Sequence, residues 1–94
     1  MDSKTLKLDV FDAGQTVEPG EKSDTVAIIQ IILNALKLRY DGYGFIPVTF
    51  VFDPETVEAV KFFQKINRMS DTGVVNTETW NALATEYGFL RRME

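Results

Sequence analysis

The chain of 94 residues has no cysteine and no histidine. Without thiols there is no disulfide framework, no thiolate zinc site and no cysteine nucleophile. Without imidazole the commonest general base and metal ligand is missing as well. The two absences together exclude Ser-His-Asp and Cys-His machinery and most zinc chemistry. Basic residues are outnumbered, 10 Lys and Arg against 14 Asp and Glu for a net charge of −4. No basic stripe is available to neutralise nucleic-acid phosphates or to bind an anionic membrane surface. No stretch approaches the roughly 20 apolar residues of a membrane span. The start, MDSKTLKLDVFDAG, lacks the basic segment and apolar run of a secretory signal. The expectation is a chain made in the cytoplasm and released by lysis or carried by a phage, or a piece of a longer exported protein.

What is present describes one soluble domain: 45% apolar and 26% charged residues, enough to fold around a single core. Leu6, Leu8 and Val10 alternate before Phe11 and the turn residues of Asp12-Ala13-Gly14 and Glu18-Pro19-Gly20, which reads as an extended arm over residues 1–20. From Ser23, a natural N-cap, Val26, Ile29, Leu33 and Leu36 recur at helical spacing and predict a first helix over 24–38. Residues 39–52 carry glycine turn signals and Pro47, and read as a long loop. Asp53 as cap and Pro54 in the first helical position predict a second helix over 54–67. Asn76 caps a third over 77–87, with Gly88 as its expected stop.

The first helix raises a difficulty. VAIIQIILNAL, residues 26–36, is apolar nearly all the way round, whereas a surface helix shows one apolar stripe. Val26, Ile29, Leu33 and Leu36 form one face; Ile28, Ile31, Ala35 and Leu38 are left on the other. The arm, through Leu6, Leu8, Val10 and Phe11, is expected to fold back over this second face; a partner would otherwise cover it.

The same grammar appears before both later helices. Phe52-Asp53-Pro54-Glu55-Thr56-Val57 and Val75-Asn76-Thr77-Glu78-Thr79-Trp80 each read apolar, cap, any residue, Glu, Thr, apolar. The outer apolar pair in each is a hydrophobic staple that fixes how the loop meets its helix. One element earlier, Val26-x-x-Ile29-Gln30 matches Val60-x-x-Phe63-Gln64. A glutamine at the edge of a core face most often bonds a loop backbone. Gln30 and Gln64 are therefore expected to hold loops, and Trp80 to be core.

These motifs stand in a definite order: Val26-x-x-Ile29-Gln30-x-x-Leu33; Phe52-x-x-x-Thr56-x-x-Ala59-Val60-x-x-Phe63-Gln64; and Thr72-Gly73-Val74-Val75-Asn76-x-x-Thr79-Trp80-x-x-Leu83. In that order the chain resembles the bacterial peptidoglycan-binding domain of the type-1, three-helix kind, over about residues 20–88. The resemblance implies an all-α fold: a small orthogonal three-helix bundle with an extended N-terminal arm and two functional loops. It divides the chain into an arm at 1–20, the domain at 21–90 and a tail at 91–94. It implies a non-catalytic module, without cofactor or metal, that holds a wall-lytic enzyme on peptidoglycan. The fold also resembles the pro-domain of matrix metalloproteinases, but a cysteine switch needs the cysteine this chain lacks. Two departures stand out. Relatives usually carry Asp-Gly before the phenylalanine and Gly after it, where this chain has Phe50-Val51 before Phe52 and Asp53 after. Relatives are also usually polar at the positions of Ile28 and Ile31.

Candidate ligand-binding residues lie on two loops. RYDGYGF supplies Arg39, Tyr40, Tyr43 and Phe45, aromatics beside glycines that can stack on a sugar or cover a core edge. The second loop supplies Asp71, Thr72 and Asn76, and a cleft between the loops is the expected site. Its ligand would be the glycan strand or stem peptide of peptidoglycan. Glu55 and Glu58 lie three apart on one helix face with no apolar pocket to raise a pKa, so a catalytic carboxylate pair is not expected. The alternative to wall binding is a protein-interaction module of a phage particle or lytic machine, using Ile28, Ile31, Ala35 and Leu38. Neither reading involves nucleic acid or membrane.

Overall fold

The structure, a computed structural model, describes residues 14–92, with side chains described through residue 88. Three helices follow in order: α1 (Asp24–Leu36), α2 (Pro54–Ile66) and α3 (Thr77–Arg92). Among the described residues there is no strand, only isolated antiparallel bridges at Val17–Val75 and Lys22–Val51. The expected all-α bundle is what forms.

Each helix begins where a side chain can accept from its first free amides. Ser23 Oγ accepts from the Val26 amide at 3.2 Å, Asp53 Oδ1 from the Thr56 amide at 3.1 Å, and Asn76 Oδ1 from the Thr79 amide at 2.8 Å. Asp24, Glu55 and Glu78 add a negative charge to each first turn, favourable at the positive end of the helix dipole. α2 ends in a Schellman arrangement around Arg68, which takes a left-handed φ of 61°. The Met69 amide donates to Gln64 O at 2.8 Å and the Arg68 amide to Lys65 O at 3.1 Å.

α1 is the central element, packed chiefly against α3 and less extensively against α2. Val26, Ile29, Leu33 and Leu36 are fully buried as the spacing predicts. Ile32 is fully buried too and was absent from that face. Because a bundle helix touches two neighbours, its apolar arc is wider than a single stripe. Phe52, Phe63, Val75, Trp80 and Leu83 complete the core from the other helices and loops, with Val17 and Ile46 from outside them. Each fully buried Leu, Ile or Phe contributes about 1.5–3 kcal/mol before ordering costs. The second face of α1 is graded: Ile28 packs partly buried against the core, Ala35 is half-buried, and Ile31 and Leu38 are 39% and 84% exposed. The arm expected to cover them, Leu6 to Phe11, lies outside the described residues.

Two helix ends differ from expectation. α1 stops at Leu36 rather than Leu38, because the chain tightens into i−3 bonds: Lys37, Leu38 and Arg39 donate to Asn34, Ala35 and Leu36. α3 does not stop at Gly88 but runs on to Arg92. Glycine costs a helix interior only about 1 kcal/mol relative to alanine, and the residues that follow it are helix-compatible.

Candidate functional site

Two loops precede α2 and α3, and one buried glutamine organises each. Gln30 Nε2 donates to Val51 O at 3.0 Å, Thr56 Oγ1 at 3.0 Å and Thr49 Oγ1 at 3.1 Å. Its Oε1 accepts from the amides of Thr49 and Phe50 at 3.0 and 3.1 Å. Gln64 repeats the arrangement: Nε2 donates to Val74 O and Thr79 Oγ1, and Oε1 accepts from the Gly73 amide at 2.9 Å. The structural role expected of both glutamines is the one observed. The loop threonines, Thr49 and Thr72, each accept from the amide two residues on. Buried polar groups are thus satisfied within the loops, so the loops are held in one shape.

The backbone is left-handed three residues before every N-cap. Gly20, Phe50 and Gly73 have φ of 91°, 70° and 81° and precede Ser23, Asp53 and Asn76. Asp53 then anchors α2 twice, accepting from the Thr56 amide and, at 2.6 Å, from its hydroxyl. Partial burial pushes the Asp53 carboxyl upward, but these bonds and one from Thr49 outweigh it and hold the group below its usual range.

The sequence-predicted site residues divide into groups. Tyr43 and Asp71, one from each loop, line a common cleft of about 320 Å³ with Gly42, Lys61, Phe62 and Lys65. Phe62 meets Tyr43 edge-on at 5.8 Å between ring centres, and Gly42 lies so close to the Phe62 ring that a Cβ there would overlap it. Thr72 and Asn76 line a separate polar pocket of about 260 Å³ beside Arg68 and Ser70. Arg39 and Tyr40 face elsewhere: Arg39 pairs with Glu86 of α3 at 3.1 Å, and Tyr40 packs edge-on against Phe63. Phe45 is 71% exposed and lines neither pocket.

Tyr43 is also part of the frame. Its hydroxyl donates to Leu33 O at 2.7 Å, and Lys37 Nζ donates to its carbonyl at 2.7 Å. Burial, with Tyr40 nearby, raises its pKa well above the usual tyrosine value. Burial and then the Glu86 carboxylate raise Tyr40, against the opposing Arg39 guanidinium. Both hydroxyls stay neutral and serve as hydrogen-bonding groups, not acids. Sequence reasoning missed Lys61, Phe62 and Lys65, although the i, i+4 lysines share one α2 face and could have been found there. A groove of about 480 Å³ beside Pro19, Val51, Pro54 and Val57 contains none of the predicted residues.

Among the described residues, no three acidic side chains converge as a metal site, and no helix is long and apolar enough to cross a membrane. No solved structure shows significant similarity to the chain. The carboxy-terminal processing protease CtpA of Bacillus subtilis (strain 168) is 32% identical over 80 residues, which cover 85% of this chain. The chain matches only 16% of that protease's length. Residues 22–83, spanning all three motifs, both glutamine-held loops and the helix caps, match the family described as "Putative peptidoglycan binding domain". The chain therefore belongs to the peptidoglycan-binding domain family, whose context is the cell wall.

Proposed function

We propose that the chain is a non-catalytic module that binds peptidoglycan and keeps a wall-lytic enzyme on its polymeric substrate. The observation that carries this reading is the family match across residues 22–83. The geometry supports it, because two rigid loops on a helical frame flank a cleft. Tyr43 and Asp71 meet there with Lys61 and Lys65, a mixed-charge lining suited to stem-peptide carboxylates and amines. Thr72 and Asn76 fix the second loop by accepting from its own amides, and Arg39 and Tyr40 tie the first loop to α3 and α2 away from the cleft. The Bacillus relative is named a protease, so an enzyme accompanied by such a module need not be wall-lytic. Co-sedimentation with purified insoluble peptidoglycan tests binding: the protein is expected in the pellet. Protein that stays in the supernatant across salt and pH overturns the reading. Clearing of a wall suspension by the chain alone would overturn the non-catalytic part.

A second reading is an assembly module in a phage particle or lytic machine, favoured by Leu38 at 84% and Ile31 at 39% exposure. Wall binding explains neither residue. Light scattering decides it for self-assembly, where a concentration-dependent oligomer lost in Leu38→Lys is the supporting result.

A further inference from the structure

Phe50 occupies a position that elsewhere in this chain belongs to glycine. Three residues before each N-cap the backbone turns left-handed, and the other two such residues are Gly20 and Gly73. A bulky L side chain is strained at φ 70°, because its Cβ crowds the backbone in a way that glycine avoids. Burial usually offsets such strain, yet Phe50 remains 43% exposed. What holds the conformation is backbone bonding: the Phe50 amide donates to Gln30 Oε1 at 3.1 Å, and its carbonyl accepts from the Ser23 amide at 3.0 Å. Neither bond depends on the side chain. The turn is held by bonds that any residue could make, and strain kept at a half-exposed ring points to function.

The surroundings indicate what the ring would meet. Val48 beside it is 41% exposed, and every residue from Gly42 through Phe52 is uncharged. The loop is rigid, fixed by Gln30 and by Asn34, which bonds both the amide and the carbonyl of Ile46. A pre-ordered, neutral surface bearing an exposed ring suits the apolar face of a ligand rather than its charged groups, and loses little entropy on binding. Stem peptides carry ionised carboxylates and amines; the sugar ring offers an apolar face of C–H bonds.

We propose that Phe50, flanked by Val48, is a contact residue for the glycan strand of peptidoglycan, its ring packing on the C–H face of a sugar. This rests on the wall-binding reading and adds a contact outside the cleft. The test compares wild type, Phe50→Gly and Phe50→Leu on intact peptidoglycan and on glycan strands freed of stem peptides by an amidase. Phe50→Gly is expected to raise the melting temperature by about 4–8 °C as strain is released. It should also weaken glycan binding roughly three- to tenfold as the ring is lost. Phe50→Leu should lose binding without gaining stability. A residue with a merely structural role cannot give opposite signs in one variant. Wild type that binds neither polymer overturns the wall-binding reading and this inference with it. Wild type that binds intact wall but not peptide-free strands, or a Phe50→Gly variant that binds as well as wild type or melts lower, overturns this inference alone. Loss of self-association in Phe50→Gly with wall binding unchanged overturns it too and assigns the ring to a second copy.

Discussion

The loops before α2 and α3 are two versions of one device. Each has a glutamine from the preceding helix, a threonine four residues before the cap, a left-handed residue, a cap and a threonine in the first helical turn. They differ in detail. The first is held by more partners, carries an ionisable cap and has Phe50 at the left-handed position; the second has fewer partners, a neutral cap and Gly73. The second is the conformationally relaxed version, and the first departs from it at its exposed surface.

Removing the glutamines should separate the two most widely. Gln30→Leu strands the amides of Thr49 and Phe50 and leaves Val51 O only the Thr49 hydroxyl. Gln64→Leu strands the Gly73 amide and leaves Val74 O only a long bond from the Thr72 hydroxyl at 3.4 Å. Leaving these amides unpaired should cost about 3–4 kcal/mol for the two of the first loop and about 2 kcal/mol for the one of the second. Urea midpoints at an unchanged m-value measure both. Equal losses would mean that the added bonds to the first loop contribute nothing.

The left-handed positions give the next contrast. At Gly73 an added Cβ would lie 2.9 Å from Val57 Cγ1 and 3.2 Å from Lys61 Cε, in a strained φ. Gly73→Ala should therefore destabilise by about 1–2 kcal/mol. Phe50→Ala keeps the strain already present and removes only a half-exposed ring, so it should stay within about 0.5 kcal/mol of wild type.

The caps give a smaller effect than Gly73→Ala, and pH distinguishes them. Asp53→Ala and Asn76→Ala should each cost about 1 kcal/mol at pH 7. The Asp53 carboxyl is held below its usual range in the fold. Its contribution is therefore complete above the unfolded value of about 3.9 and is lost as pH falls through the lower folded one. Melting temperatures measured into acid should converge for wild type and Asp53→Ala, while the deficit of Asn76→Ala, which has no charge to lose, persists.

Much of this arrangement is legible in the sequence because its causes are local. Ser23, Asp53 and Asn76 mark the helix starts, the repeated apolar-cap-Glu-Thr pattern marks both loops, and the placement of Gln30 and Gln64 at core edges foretells their bonds. What escaped depends on distance or context. Ile32 is buried because α1 meets two helices, which no single-helix pattern encodes. Gly88 lies inside α3 because the residues beyond it continue the helix. Phe50 stands out in the sequence only as a departure from the usual Asp-Gly; its left-handed backbone becomes legible when the alignment of the two loops is carried two positions further back, where Phe50 falls against Gly73. The cleft could be anticipated between the loops, but much of its lining, Glu58, Lys61, Phe62 and Lys65, comes from α2, and only Tyr43 and Asp71 of the expected residues meet there.

The segment ahead of α1 sets an order of assembly. Residues 17–23 bond to both loops: Val17 exchanges amide–carbonyl bonds with Val75 at 2.8 and 3.1 Å, and Gly20, Glu21 and Ser23 bond to Phe52 and Phe50. During synthesis the Phe50–Phe52 half of these partners is made about when α2 begins, but Val75 appears only at the threshold of α3. Val17, fully buried in the finished domain, must wait for it. A ribosome therefore releases a domain whose earliest-made described core residue is among the last to be enclosed, and a chain interrupted before α3 would leave both Val17 and the face of α1 that packs on α3 uncovered.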